Sequence, residues 1–284
     1  MMPGQTLTTF AAGLVACGLA LMPAAGPALA QEAQVQAPAA QGHAQAPHEC
    51  HAPLELTRLS QPLTRTARRL ARGLPVKIVA IGSSSTAGAG ASSPAASYPS
   101  RLAVEMRSLF PHSDIAVINR GVNGEEMPDM LERFESSVIA EKPDLVLWQV
   151  GTNSVLRDHP VEAANPLIIA GVHRLRDIDA DVVMIDPQYA PRVIAKPGSE
   201  IMVNVISAAA KEANVDLFQR FAVMKSWHDD EHMAFAEFVS ADGLHMNDWS
   251  YACLAKLIGG SIAEAATRGV ASASAAVARG SATR

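Results

Sequence analysis

The 284-residue chain holds three cysteines. No run of eighteen apolar residues follows its first thirty positions, and no Lys or Arg precedes Phe10. A helix spanning a bilayer needs about 20 largely apolar residues, so no stable membrane span is expected in the mature chain. With 23 Lys and Arg against 28 Asp and Glu, the formal net charge is −5. Nothing in that balance suggests the strongly basic face on which nucleic acid binds, and no nucleic-acid partner is expected. The phosphate-binding Lys of a Walker loop, the G-x-G-x-x-G fingerprint and any fixed internal period are missing too, which argues against a P-loop enzyme, a dinucleotide site and a solenoid.

What is present begins with a leader. An apolar run from Phe10 to Met22 is followed by small residues ending Ala28-Leu29-Ala30 before Gln31, an A-x-A cleavage pattern that predicts a signal peptide over 1–30 and an exported protein, periplasmic or secreted. Leu14-Val15-Ala16-Cys17 also has the form of a lipobox, a second route out of the cytoplasm through Cys17. Residues 31–50, rich in Ala, Gln and Pro, have too few large apolar groups to form a core and read as a linker; 272–284, rich in Ala and Ser, reads as a disordered tail. One domain over 51–271 remains. Beyond the leader only Cys50 and Cys253 are left, and in an oxidising compartment these two are expected to pair, pinning the start of the domain to its last helix. His43, His48, Cys50 and His51 crowd together, but with irregular spacing where structural zinc sites use paired ligands, so neither metal nor cofactor is expected. Arg65, Arg68, Arg69 and Arg72 cluster on one helix and read as a solvated face, with membrane-surface binding as the alternative.

Within the domain, short β-rich runs alternate with longer amphipathic stretches. Val76–Ile81, Ile115–Ile118, Leu145–Val150, Val182–Ile185 and Val215–Phe218 read as strands buried on both faces. Helices are predicted over Tyr98–Leu109, Met127–Ala140, Pro160–Ile178, Glu200–Ala213 and Asp248–Ala266. Such alternation implies right-handed crossovers and a five-stranded parallel sheet inside a three-layer α/β/α sandwich.

Ligands of open parallel sheets bind beyond the carboxyl ends of the strands, and the residues there are polar. After the first strand comes Gly82-Ser83-Ser84-Ser85-Thr86, able to expose a hydroxyl, though a plain loop or a phosphate cradle would look similar. Asn119-Arg120-Gly121-Val122-Asn123-Gly124 follows the second strand, with glycines that let amides turn toward a ligand. Gly151-Thr152-Asn153-Ser154 follows the third, and Ser240-Ala241-Asp242-Gly243-Leu244-His245 precedes the last helix. A carboxylate three residues before an imidazole can orient that ring, and a serine on a neighbouring loop would complete a nucleophile, base and orienter.

These four segments, in this order and at these strand ends, resemble the four signature blocks of the SGNH (GDSL-like) hydrolase family. The resemblance covers about Val76 to Ile262 and implies the flavodoxin-like SGNH hydrolase fold. It makes Ser84 the nucleophile and Asp242 and His245 its partners. The backbone N–H of Ser84, Gly124 and the Asn153 side chain then form the oxyanion hole. Two positions depart from the family pattern: Ser83 stands where the first block usually has Asp, and Ser154 where the third usually has Asp. Counting from Gly82 and Thr86, Ser84 rather than Ser83 or Ser85 fills the nucleophile slot.

The expected activity is serine esterase hydrolysis of short-chain acyl or acetyl esters on envelope or extracellular carbohydrate. Lipid esters, acyl transfer from the same acyl-enzyme, and a silent carbohydrate-binding module are the alternatives. Trp148, Gln188, Tyr189 and Arg192 flank the strand ends and are expected to line the substrate pocket. The base must be neutral to accept a proton, so activity is expected to rise with pH through the ordinary imidazole range, about 6.5.

Overall fold

The computed structural model describes residues 48–281, and side-chain surroundings through residue 268. The leader, Cys17, most of the linker, His43 and residues 282–284 lie outside the described residues. Five strands, β1 (Val76–Gly82), β2 (Ile115–Gly121), β3 (Leu145–Gln149), β4 (Asp181–Ile185) and β5 (Asp216–Phe218), form one parallel sheet in the order β2-β1-β3-β4-β5. The register pairs Ile78 with both Val117 and Leu145, and Val146 with Val182. Every residue of β3 is buried and only Lys77 of β1 is not fully so, as a sheet covered on both faces requires.

Among the described residues seven helices of six residues or more accompany the sheet: α1 (Thr64–Ala71), α2 (Tyr98–Leu109), α3 (Met127–Glu132), α4 (Ala164–Arg176), α5 (Ser199–Glu212), α6 (Arg220–Asp229) and α7 (Asp248–Ser281). Helix α7 packs on α1 and α2, while α4 packs on α3 and α5, which gives the two helical layers of the sandwich.

Four differences from the sequence reading have local causes. The helix expected over Met127–Ala140 breaks at Arg133, whose guanidinium is engaged by Glu125 at 2.8 Å, and the chain continues in short turns that bury Phe134 and Val138. Pro160–Ile178 opens as a 3-10 turn before α4, with Pro166 in the first turn where its missing N–H costs nothing. Helix α6 carries no clear periodic signal in the sequence, because buried Arg220 and Ser226 interrupt the apolar pattern of Phe221, Val223, Met224 and Trp227. Helix α7 runs on to Ser281, through most of the stretch expected to be a disordered tail; Ala, the best helix former, is frequent there.

The Arg cluster is a solvated face only in part: Arg68 and Arg72 are exposed, whereas Arg65 and Arg69 are partly buried against acidic residues of the sheet edge. Arg65 donates to Asp144 at 2.7 Å and pairs with Asp179, Arg69 pairs with Asp144, and Arg68 with Asp179. Thr66 bonds Asp181 and Ser60 bonds Asp216. The segment 60–69 thus ties together acidic residues at the amino ends of β3, β4 and β5, at the far edge from the polar loops.

Cys50 and Cys253 are joined in a disulfide that closes 203 residues of sequence. Flanking it, the Trp227 and Trp249 indoles donate to the carbonyls of His51 and His48 at 2.9 and 3.1 Å. Cross-linking so long a loop removes much of the freedom of the unfolded chain. Cys50→Ser/Cys253→Ser is therefore expected to lower unfolding stability by about 2–5 kcal/mol, read from urea denaturation, with the far-UV circular dichroism spectrum at 25 °C unchanged. A midpoint unmoved from the wild type would show that the bond adds nothing.

Candidate active site

The four polar loops converge above the carboxyl ends of the strands. Ser84 opens a short helical turn, Ser84–Ala87, immediately after β1. Such a first residue has an N–H with no acceptor inside its own turn, free to face a ligand. Gly121, at the end of β2, makes this turn possible: a Cβ there would stand 2.1 Å from the Ala87 nitrogen. Gly90 does the same on the other side, since a Cβ on it would meet the His245 Cβ at 2.8 Å and the Met246 carbonyl at 2.5 Å. Two glycines thus let the serine loop touch the β2 loop on one flank and the histidine loop on the other.

That contact brings Ser84, His245 and Asp242 into one hydrogen-bonded line. The Ser84 Oγ lies 2.7 Å from His245 Nε2, and His245 Nδ1 lies 2.5 Å from Asp242 Oδ2. Asp242 Oδ1 accepts from the Ser240 hydroxyl at 2.7 Å and from the backbone N–H groups of Leu244 and His245, each at 2.9 Å. Partial burial works to raise the Asp242 pKa, but the bonds from the His245 ring and N–H, Ser240 and Leu244 outweigh it and hold the carboxyl well below its usual range. It therefore stays anionic at neutral pH and aims its charge at the ring.

The serine register follows from geometry. Ser85 is fully buried, with its hydroxyl unpartnered among the described residues. Ser83 is buried and directs both its N–H (2.9 Å) and its hydroxyl (3.0 Å) to Gln149 Oε1. Ser84 alone of the three is bonded to the imidazole. Where the first block of the resemblance usually has Asp, this chain uses Ser83 anchored on a buried amide.

Gly124 is exposed, with φ +81°, and its carbonyl accepts from Arg157 Nη2 at 2.8 Å. Asn153 spends one amide N–H on the Glu125 carbonyl at 2.8 Å; a primary amide carries two. Val122 N–H bonds the Gly82 carbonyl at 3.0 Å, so the β2 loop is stitched to the strand that presents Ser84. Glu126 is bridged by Arg157 at 2.5 Å and His159 at 3.0 Å, and Glu125 is held by Arg133. The loop carrying Gly124 is thereby fixed from several sides.

Two expected pocket residues are not at the surface. Trp148 is 0% exposed: it lies within β3, packs edge-on against Phe134 at 5.0 Å and directs its indole N–H to Met130 Sδ. Its side chain points into a helical layer rather than beyond the strand end. Gln188 is 1% exposed and is consumed by internal hydrogen bonds. Arg192 is exposed and packs beside Gly243, its N–H donating to the Gly243 carbonyl at 3.0 Å. Tyr189 is half-buried in an aromatic group with Phe221, His228 and Phe235.

No group of three or more His, Cys, Asp or Glu among the described residues is arranged to hold a metal ion. Of the N-terminal group, His48 bonds Glu237, His51 faces Glu231 and Cys50 is committed to its disulfide. Among the described residues no helix is long and apolar enough to cross a membrane. A cleft of about 710 Å³ lined by Glu55, Ser60 and Asp216 lies at the amino end of β5, so cleft size does not mark the chemistry.

Comparison with known proteins bears on the family and the fold. The model of the non-GDSL lipase-like family matches residues 49–268. An acetylxylan esterase of Geobacillus stearothermophilus is 37% identical over 54 residues, 19% of this chain and 25% of that protein. An arylesterase of Vibrio mimicus is 27% identical over 140 residues, 49% of this chain and 66% of that protein. The chain therefore spans less than two-thirds of the length of either relative. Among solved structures, a two-domain esterase active on acetylated mannans superposes with a TM-score of 0.64 at 19% identity, covering 76% of this chain and 58% of that one. The acetylxylan esterase of Geobacillus stearothermophilus gives a TM-score of 0.56 at 20% identity, covering 66% and 94%. At such identities these two matches speak for the fold, the five-stranded sandwich of SGNH-type esterases.

Proposed function

The chain belongs to the non-GDSL lipase-like family, and from that premise we propose that it is an exported serine esterase removing short acyl groups, acetyl foremost, from carbohydrate. The observation that carries the reading is the continuous Ser84–His245–Asp242 line, with its 2.7 and 2.5 Å contacts. A serine hydroxyl is a weak nucleophile at neutral pH. His245 Nε2 takes its proton as Oγ attacks the ester carbonyl, and Asp242 holds the tautomer with Nδ1 protonated and stabilises the imidazolium. The tetrahedral oxyanion is met by the N–H of Ser84, the N–H of Gly124 and the remaining amide N–H of Asn153. The imidazolium then protonates the departing alcohol, and water, activated by the same ring, releases the acid. No metal or cofactor enters any step.

Two observations support the substrate class and compartment. Of the esterases resembled by sequence or by fold, one acts by its name on acetylated xylan and one on acetylated mannans, while the Vibrio mimicus relative is an arylesterase. The A-x-A leader and the Cys50–Cys253 bond both suit an oxidising, extracytoplasmic setting. The test is acyl-length preference and acetate release. The protein is expected to hydrolyse p-nitrophenyl acetate at least about 10-fold faster than the octanoate and to liberate acetate from acetylated xylan or mannan, since one misfitted methylene is worth about 10-fold or more in a closed pocket. Preference for the octanoate would point to lipid esters; acyl-sugar products formed with an added sugar acceptor would point to transfer.

A further inference from the structure

Beneath the reacting groups runs a line of buried polar side chains that the esterase chemistry does not use. Gln149, Thr152, Gln188 and Arg220 are each 3% exposed or less. Their donor and acceptor roles follow from chemistry alone. Ser83 N–H can only donate, so the Gln149 atom facing it at 2.9 Å is the oxygen, and the amide nitrogen must turn toward Thr152 Oγ1, at 3.5 Å. Arg220 also can only donate, and its Nη2 lies 3.0 Å from Gln188, which fixes that atom as Oε1. The Thr152 hydroxyl then donates to the same Oε1 at 2.9 Å, and the Gln188 nitrogen donates to the Leu244 carbonyl at 3.2 Å.

One end of this line therefore grips Ser83, the residue before Ser84, and the other grips Leu244, the residue before His245. Thr152, in the middle, precedes Asn153. Arg220 anchors the line: it is fully buried, its Nε donates to the Asp186 carbonyl at 2.9 Å, and Asp186 Oδ1 in turn accepts the Phe221 N–H at 2.9 Å. A buried guanidinium that feels the Asp186 carboxylate but makes no ion-pair contact with it among the described residues is costly to maintain, since charges taken out of water are normally paired. Burial lowers the Arg220 pKa and pushes the Asp186 carboxyl up to about 7, as expected for charge held in a dry interior. A hydrophobic filling would serve packing alone.

We propose that Thr152 and Gln188 are positioning residues that hold the Ser84 turn, the Asn153 loop and the His245 loop in one register, with Arg220 as their fixed anchor. The inference rests on the esterase reading and deepens it. A misplacement of about 1 Å in a reacting group can cost about 10²-fold in rate. Thr152→Val keeps the shape and removes the hydroxyl; Gln188→Glu keeps the acceptor for Arg220 and replaces the donor to Leu244 by an oxygen that repels it.

Kinetics on p-nitrophenyl acetate, normalised to sites titrated with a fluorophosphonate, distinguish positioning from folding. Both variants are expected to lose about 10- to 100-fold in kcat per titrated site, with KM within about twofold, and Thr152→Ser is expected to recover most of the loss. The rate of Ser84 phosphonylation, followed by mass spectrometry, falls in parallel. Values of kcat per site within twofold of wild type in both variants, or no recovery in Thr152→Ser, would overturn the proposal. Ser84→Ala is run beside them: if it is inactive while Thr152→Val and Gln188→Glu are normal, the positioning role falls and the esterase reading stands; if it remains active, both fall.

Discussion

Ser84→Ala is expected to reduce ester hydrolysis by about 10⁴- to 10⁶-fold while leaving the fold intact. The substitution removes the hydroxyl that reaches the imidazole, and Ser84 sits half-exposed at the start of a short turn where a methyl group is accommodated. On the proposed mechanism, only polarisation of a bound ester by the oxyanion donors would remain. Circular dichroism of the variant should match the wild type, and turnover of p-nitrophenyl acetate is the measurement. Ser85→Ala serves as the control: its buried hydroxyl has no hydrogen-bond partner among the described residues, and activity should survive. Loss of activity in Ser85→Ala with retention in Ser84→Ala would move the nucleophile and undo the mechanism.

Asn153→Ala carries the second large effect, a fall in kcat of about 10²- to 10³-fold, the usual cost of deleting one oxyanion donor. Asn153 is partly exposed on a short helical turn, a position that tolerates alanine, so stability should change little. Its bond to the Glu125 carbonyl also braces the loop of Gly124, so the variant loses a donor and a support together. A rise in KM with kcat preserved would instead assign Asn153 to ground-state binding, and near-normal turnover would remove it from the oxyanion hole.

Much of this molecule is legible without coordinates because its signals are local. The five strands are short apolar runs buried on both faces, and their placement by sequence agrees with the structure to within a residue or two at most ends; β2 alone runs on three residues to Gly121. The four polar segments fall at strand ends because a parallel sheet with helical crossovers puts them there. Cys50 and Cys253 were the pair left by elimination, and they are bonded.

Other features depended on which side of a layer a side chain takes. Trp148 and Gln188 stand close in sequence to the polar edge, yet both turn inward, one onto Phe134 and the other onto Arg220. Arg65, Arg68 and Arg69 look like a solvated stripe until Asp144 and Asp179, more than seventy residues away, are brought beside them. Arg220 gives no sequence sign of burial, because nothing in its neighbourhood along the chain reports the cavity of amide and carbonyl groups it enters.

The layered α/β architecture and the residue types able to act as nucleophile, base and orienter can be read from the chain directly, since each is written in a short span through period, composition or spacing. Three-dimensional packing sets the contact of Ser84 with the imidazole, how closely the glycines let the loops approach, and which polar side chains are spent inside holding those loops. The physical reason is that these depend on distances between segments as much as 161 residues apart, set by packing of the whole sandwich rather than by any local preference.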